Sequence, residues 1–229
     1  SKKQVTHDNW GYPPFNRESF QNVQGLFPTA RLKRGSGPAS DIPMNLQSIE
    51  AVEFENLEGN KQSIRQMLDA TYTDAFLVLQ DGALIHEEYM NNMGPDTLHL
   101  INSVTKSFVG MLTGILYEKG IIDPDKNVSD YIPEFKDTVF SETKLQHALD
   151  MSAAVEYGED YSDPQADFWH ETAIVGWRPQ LVNAETPSTL FDYALSLQSK
   201  EQLDGEKYHY RTVLTNIVAM AIERATGER

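Results

Sequence analysis

The clearest pattern of apolar and polar positions in this chain is a pair of apolar runs, Ala75-Phe-Leu-Val-Leu79 and Ala83-Leu-Ile-His-Glu-Glu-Tyr89. They are separated by Gln80-Asp81-Gly82. An Asp-Gly pair supplies the positive φ angles of a type I′ turn, so the spacing predicts an antiparallel hairpin. Ser63 to Ala70 reads as a short helix. From Ser107 to Gly120, the residues Phe108, Met111, Leu112, Ile115 and Leu116 recur at helical spacing. That stripe predicts a buried helix with a basic last turn, stopped at Lys119-Gly120. Leu190 to Leu197 predicts a helix with Ser188 as its cap, and Asp204-Gly205-Glu206 predicts a turn into Lys207-Tyr-His-Tyr210. Arg211 to Thr226 predicts a last amphipathic helix, with Val213, Leu214, Ile217, Ala221 and Ile222 inward and Gly227 as its stop.

Residues 1–45 carry Pro13-Pro14, Pro28, Pro38 and Pro43, interleaved with Trp10, Tyr12, Phe15, Phe20 and Phe27. Prolines forbid long helices, and the aromatics argue against free disorder. The expectation is an irregular arm over 1–45, packed on a main domain over 46–229. Beyond the hairpin no further strand pattern stands out. A two-stranded sheet is marginal by itself, so the sequence predicts a mixed α+β fold of which this chain is an incomplete N-terminal portion, its remaining strands lying further on.

At 229 residues, with 40% hydrophobic and 10% aromatic content, the chain has the composition of a globular protein. A net charge of −15 without a basic face argues against nucleic acid as a partner. No run approaches the roughly 18 apolar residues of a membrane helix, and the first residues lack a signal-peptide apolar region. A cleaved signal leaves no trace, so cytoplasm and periplasm both stay open. The absence of cysteine excludes disulfides, thiolate catalysis and cysteine-ligated metals.

Several motifs carry no chemistry. Asp123-Pro-Asp125-Lys-Asn127 imitates a calcium loop, but Val128 stands where the turn needs glycine. The histidines never pair at metal-ligand spacing. His86-Glu87-Glu88 lies on a strand and His170-Glu171 in a loop. There is no G-x-S-x-G elbow and no phosphate loop.

Ser103-Val-Thr-Lys106 is the candidate that matters. A serine and a lysine at this spacing project from one side of a helix, one turn apart. A lysine pressed against the core there loses hydration, which favours its neutral form, and a neutral amine can take the serine proton. The plain alternative for Ser103 is a helix N-cap. A second match, Ser141-Glu-Thr-Lys144, precedes a short segment with polar flanks. There Ser141 or Thr143 reads as an N-cap and Lys144 as solvated.

The order of features carries a family likeness. After the hairpin and the S-x-x-K helix come Gly120-Ile-Ile-Asp-Pro-Asp125, Val128-Ser-Asp-Tyr-Ile-Pro133 and Leu145-Gln-His-Ala-Leu-Asp-Met151. Later a tyrosine begins a helix ending Ile222-Glu-Arg-Ala-Thr-Gly227. Pro13-Pro-Phe-Asn-Arg17, Thr71-Tyr-Thr-Asp-Ala-Phe-Leu-Val-Leu79 and Tyr157-Gly-Glu-Asp-Tyr161 match as well. The chain resembles the serine β-lactamase-like, penicillin-recognising enzymes, particularly their class C-type esterase branch and its 6-aminohexanoate-dimer hydrolases.

The resemblance implies a β-lactamase/transpeptidase-like fold, an antiparallel sheet flanked by helices plus a helical region. It implies Ser103 as acyl-forming nucleophile, Lys106 as the base that activates it, and Tyr210 as the phenol that shuttles protons to the leaving group. The Ser103 N–H would be one oxyanion donor. Tyr161 corresponds to a substrate-contacting tyrosine, and Trp177 is expected to line the same region. Thr212 stands at the substrate-binding third place of the usual Tyr-x-Asn motif. Its hydroxyl cannot supply an amide N–H₂, which counts against β-lactam turnover. The family's third motif lies beyond Arg229.

The implied function is cofactor-free hydrolysis of a small ester or linear amide. A D-alanyl-D-alanine peptidase or β-lactamase is the first alternative, and a non-catalytic binding or sensor protein the second. The partners implied are the small substrate and a C-terminal fragment or second chain completing the fold. A homodimer stays open, and neither nucleic acid nor membrane is expected.

Overall fold

The computed structural model describes residues 4–228, and the chain divides into two compact units, 1–100 and 101–229.

In the first unit the arm holds two short helical turns, α1 (Asn16–Ser19) and a 3₁₀ turn over Val23–Gly25. The strands β1 (Glu53–Glu55) and β2 (Lys61–Ser63) pair antiparallel. The helix α2 (Ile64–Ala70) follows, closed at its start by a capping box between Ser63 and Gln66. Next come β3 (Ala75–Gln80) and β4 (Ala83–Tyr89), paired antiparallel from Ala75↔Tyr89 to Gln80↔Ala83. The turn between them has Asp81 at φ 51° and Gly82 at φ 78°, the two positive angles the Asp-Gly pair foretells.

The β1–β2 ladder was not foreseen. Its residues are largely exposed and polar, so no apolar alternation announces it. Pro43 to Gln47 also runs along β4, with Asn45 N–H donating to Leu84 O at 2.9 Å and Gln47 N–H to Ile85 O at 2.8 Å. At the hairpin base Asp74 is buried. It takes His99 Nε2 at 3.0 Å and Gln21 Nε2 at 3.3 Å, with Arg17 Nη2 at 3.5 Å. A buried carboxylate needs such partners, and here two of them come from the arm.

The second unit is helical: α3 (Val104–Glu118), α4 (Val128–Tyr131), α5 (Leu145–Leu149), α6 (Asp167–Ile174), α7 (Leu190–Ser196) and α8 (Thr212–Thr226). Its core forms around α8. Val213, Leu214, Ile217, Ala221 and Ile222 are all buried, as their spacing foretold, together with Val128, Ile132, Phe135, Phe140 and Leu145. Fully burying one such side chain contributes about 1.5–3 kcal/mol. Gly227 stops α8 in the left-handed conformation at φ 70°.

The structure departs from four sequence expectations. The predicted stripe of α3 is not buried within this chain. Phe108 is 58%, Met111 64%, Leu112 45% and Ile115 51% exposed, while Leu116 alone of the five is buried. The helix packs instead through Val109, Thr113 and Leu116, the flank that faces the core around α8. The cap of α7 is Thr189 rather than Ser188, because its hydroxyl accepts from Asp192 N–H at 3.0 Å. Neither Ser141 nor Thr143 caps α5. Lys144 holds that place, and the buried Thr143 hydroxyl is drawn to the Asp204 carboxylate. His170 and Glu171 sit on α6 rather than in a loop. No helix among the described residues is long and apolar enough to cross a membrane.

Candidate active site

Asn102 turns the chain into α3 with φ 43°, a left-handed conformation that asparagine tolerates better than most residues. Ser103 follows at the N-cap position, yet its side chain makes no capping bond. Its Oγ instead accepts from Lys106 Nζ at 3.1 Å and from Tyr210 OH at 2.8 Å. Lys106 Nζ lies 5.1 Å from the centre of the Tyr210 ring, so the ammonium rests against its π face. A capping hydroxyl points back at its own helix, and this one does not. Ser103 is exposed and Lys106 only half-buried, so the lysine is less enclosed than the sequence suggested.

Tyr210 is delivered by the segment that enters α8, and Thr212 begins that helix. Thr212 donates its backbone N–H to Glu159 Oε2 at 2.6 Å and its hydroxyl to Glu159 Oε1 at 2.7 Å. Tyr161 donates its phenol to the same Oε1 at 2.8 Å. Burial first, then Glu159, holds the Tyr161 phenol well above its ordinary pKa, and the neighbouring Tyr210 adds to this. The Tyr161 ring packs edge-on against Phe168 and Trp169 at 5.1 and 6.1 Å. Trp177 lies half-buried just past α6, its backbone N–H donating to Thr172 O at 3.0 Å.

The six expected residues are thus arranged in tiers. Ser103, Lys106 and Tyr210 meet directly, Thr212 and Tyr161 meet through Glu159, and Trp177 stands on a third segment. Glu159 was missed, although it lies inside the quoted Tyr157–Tyr161 stretch, because one acidic residue in a loop carries no signal of its own.

Beneath this layer lies a buried polar cluster that the sequence also concealed. Glu171 on α6 accepts from the Tyr157 phenol and from Asn216 Nδ2 of α8. Burial raises the Glu171 carboxyl above its ordinary pKa. The two donors oppose this, as does the charge of Lys106, whereas Glu159 adds to it. Among the described residues no group of three or more His, Asp or Glu could hold a metal ion.

Comparison with known proteins bears on the family and the fold. The Beta-lactamase family profile matches residues 60–229. The 6-aminohexanoate-dimer hydrolase of Paenarthrobacter ureafaciens is 31% identical over 226 residues, which is 98% of this chain and 54% of that protein. A Bacillus anthracis structure, described as a candidate 6-aminohexanoate-dimer hydrolase, superposes with a TM-score of 0.86 at 28% identity. The match covers all of this chain and 59% of that one. A candidate β-lactamase from Bacteroides dorei shares the fold, with a TM-score of 0.55 at 18% identity over 72% of this chain and 45% of its own. The chain therefore spans little more than half the length of the 6-aminohexanoate-dimer hydrolases it matches. With a family profile covering most of its length, the chain belongs to the β-lactamase family.

Proposed function

We propose that the protein is a serine hydrolase that cleaves a small ester or linear amide through an acyl-enzyme on Ser103. One observation carries the reading: Ser103 Oγ declines its helix cap and accepts from both Lys106 Nζ and Tyr210 OH. In the reacting arrangement the Lys106 amine takes the proton of Oγ as Oγ bonds to the substrate carbonyl carbon. The Ser103 backbone N–H, which has no acceptor among the described residues, stabilises the oxyanion in this reading. Tyr210 gives its phenolic proton to the departing amine or alcohol and recovers one from the ammonium of Lys106. Water then attacks the ester on Ser103 by the same steps in reverse.

The β-lactamase or D-alanyl-D-alanine peptidase reading is disfavoured at Thr212. Its N–H and hydroxyl are both directed to Glu159, so the third place of the motif offers no free donor to a substrate carbonyl. A sensor on the same fold would bind the same ligands without turnover. The test is hydrolysis of p-nitrophenyl butyrate and of a linear amide by the protein and by Ser103→Ala. Turnover lost in Ser103→Ala is expected. Unchanged turnover in that variant overturns the reading, and ligand binding without any hydrolysis favours the sensor.

A further inference from the structure

Tyr210 reaches Ser103 from a segment with no regular secondary structure, so something other than a helix or sheet must fix its direction. Its two neighbours in sequence supply the answer. His209 Nδ1 lies 2.7 Å from Glu201 Oε1, and Arg211 Nη2 donates to that same oxygen. Arg211 has an extended backbone, φ −145° and ψ 116°. In an extended segment alternate side chains point to opposite sides. Positions 209 and 211 thus share the Glu201 side, and position 210 is turned to the other, where Ser103 lies.

The anchor itself is well held. The Arg211 side chain is fully buried, 0% exposed. Its Nη1 donates to Ala153 O at 2.9 Å and to His209 O at 3.2 Å. Glu201 is fixed by its own N–H on Ala154 O at 3.0 Å, and His209 by its N–H on Met151 O at 2.8 Å. The stretch from Met151 to Ala154 is therefore the common rail for carboxylate and tyrosine segment alike. A buried guanidinium without its carboxylate would leave an uncompensated charge in the core, so the clamp is stiff.

We infer that Glu201 is a positioning residue, which aims the Tyr210 phenol at Ser103 by holding the side chains of His209 and Arg211 on the opposite side. The inference deepens the hydrolase reading, since it matters to catalysis only if Tyr210 is the proton shuttle. The geometry can nevertheless be read without turnover.

The experiment places 3-fluorotyrosine at position 210 of the 229-residue chain and records its ¹⁹F NMR shift. In the parent the shift is expected to move when Ser103→Ala removes the oxygen that the phenol touches. Glu201→Gln keeps the shape of the side chain and removes its charge. The ¹⁹F signal of that variant should move to the solvent-exposed position and lose its response to Ser103→Ala, while circular dichroism stays native. An unchanged, still responsive signal in folded Glu201→Gln overturns the inference.

If Glu201→Gln does not fold, His209→Leu decides the matter, because it spares the buried ion pair and, having no polar atom, removes one arm of the clamp. A shifted signal there supports the inference and an unmoved one overturns it. With substrate, Glu201→Gln should lower kcat on the order of 10-fold to 100-fold and leave KM in place, as misplacement of a reacting group does. Loss of hydrolysis in every form with the ¹⁹F pattern intact would instead count against the hydrolase reading alone.

Discussion

Glu159 and Thr212 are joined twice, the carboxylate taking the Thr212 N–H at 2.6 Å and its hydroxyl at 2.7 Å. Glu159 thereby does for α8 what an N-cap side chain does, from a distant loop, and its charge suits the positive end of the helix dipole. Glu159→Ala should cost about 1–2 kcal/mol, a fall in Tm of roughly 2–8 °C for a chain of this size. Thr212→Val removes only the hydroxyl bond and should cost less. Thermal unfolding of the two variants checks this. Equal losses would show that the backbone bond contributes nothing.

The two flanks of α3 should answer differently to truncation. Leu116 is buried, and Leu116→Ala should destabilise the chain by about 2–5 kcal/mol. Phe108 is mostly exposed within this chain, so Phe108→Ala should change stability by less than about 0.5 kcal/mol. Urea unfolding of both variants reads the difference. A large loss on Phe108→Ala would mean that the sequence pattern, and not the packing of Val109, Thr113 and Leu116, identifies the buried face.

That contrast shows what was legible in the sequence. The hairpin, α8 and the Ser103–Lys106 spacing follow from local rules: an Asp-Gly turn, a 3.6-residue period ending at glycine, and two side chains one turn apart. Periodicity says which residues of α3 share a face, but not what covers that face, and here the flank through Val109, Thr113 and Leu116 meets α8. The contact of Tyr210 with Ser103 spans 107 positions of sequence, and the Glu159–Thr212 pair spans 53. Neither distance leaves a periodic trace. The first was reached through family likeness, and the second was not reached. The β1–β2 pair escaped because its residues are largely exposed and polar and no apolar alternation selects them.

The buried carboxyl of Glu171 makes stability depend on pH. Burial places its folded pKa above the ordinary value of 4.5, because the charged form loses hydration. The group's contribution is thus complete below the unfolded value and declines as pH rises through the folded one. Glu171→Gln cannot ionise and keeps an oxygen for the Tyr157 phenol. Its Tm relative to the parent should therefore rise as pH climbs above the unfolded value of about 4.3 and level off once pH has passed the raised folded one. A difference that stays flat over that range would place the ionisation of Glu171 outside the stability of the fold.

The central claim is that Ser103 is a nucleophile, with Lys106 as its base and Tyr210 as proton donor to the leaving group. It is tested most directly by treating the folded protein with a fluorophosphonate and locating the adduct by peptide mass. The account predicts one adduct, on Ser103, formed on the order of 10² to 10⁴ times more slowly in Lys106→Ala. An adduct elsewhere, or equal labelling of Ser103 in Lys106→Ala, would contradict it.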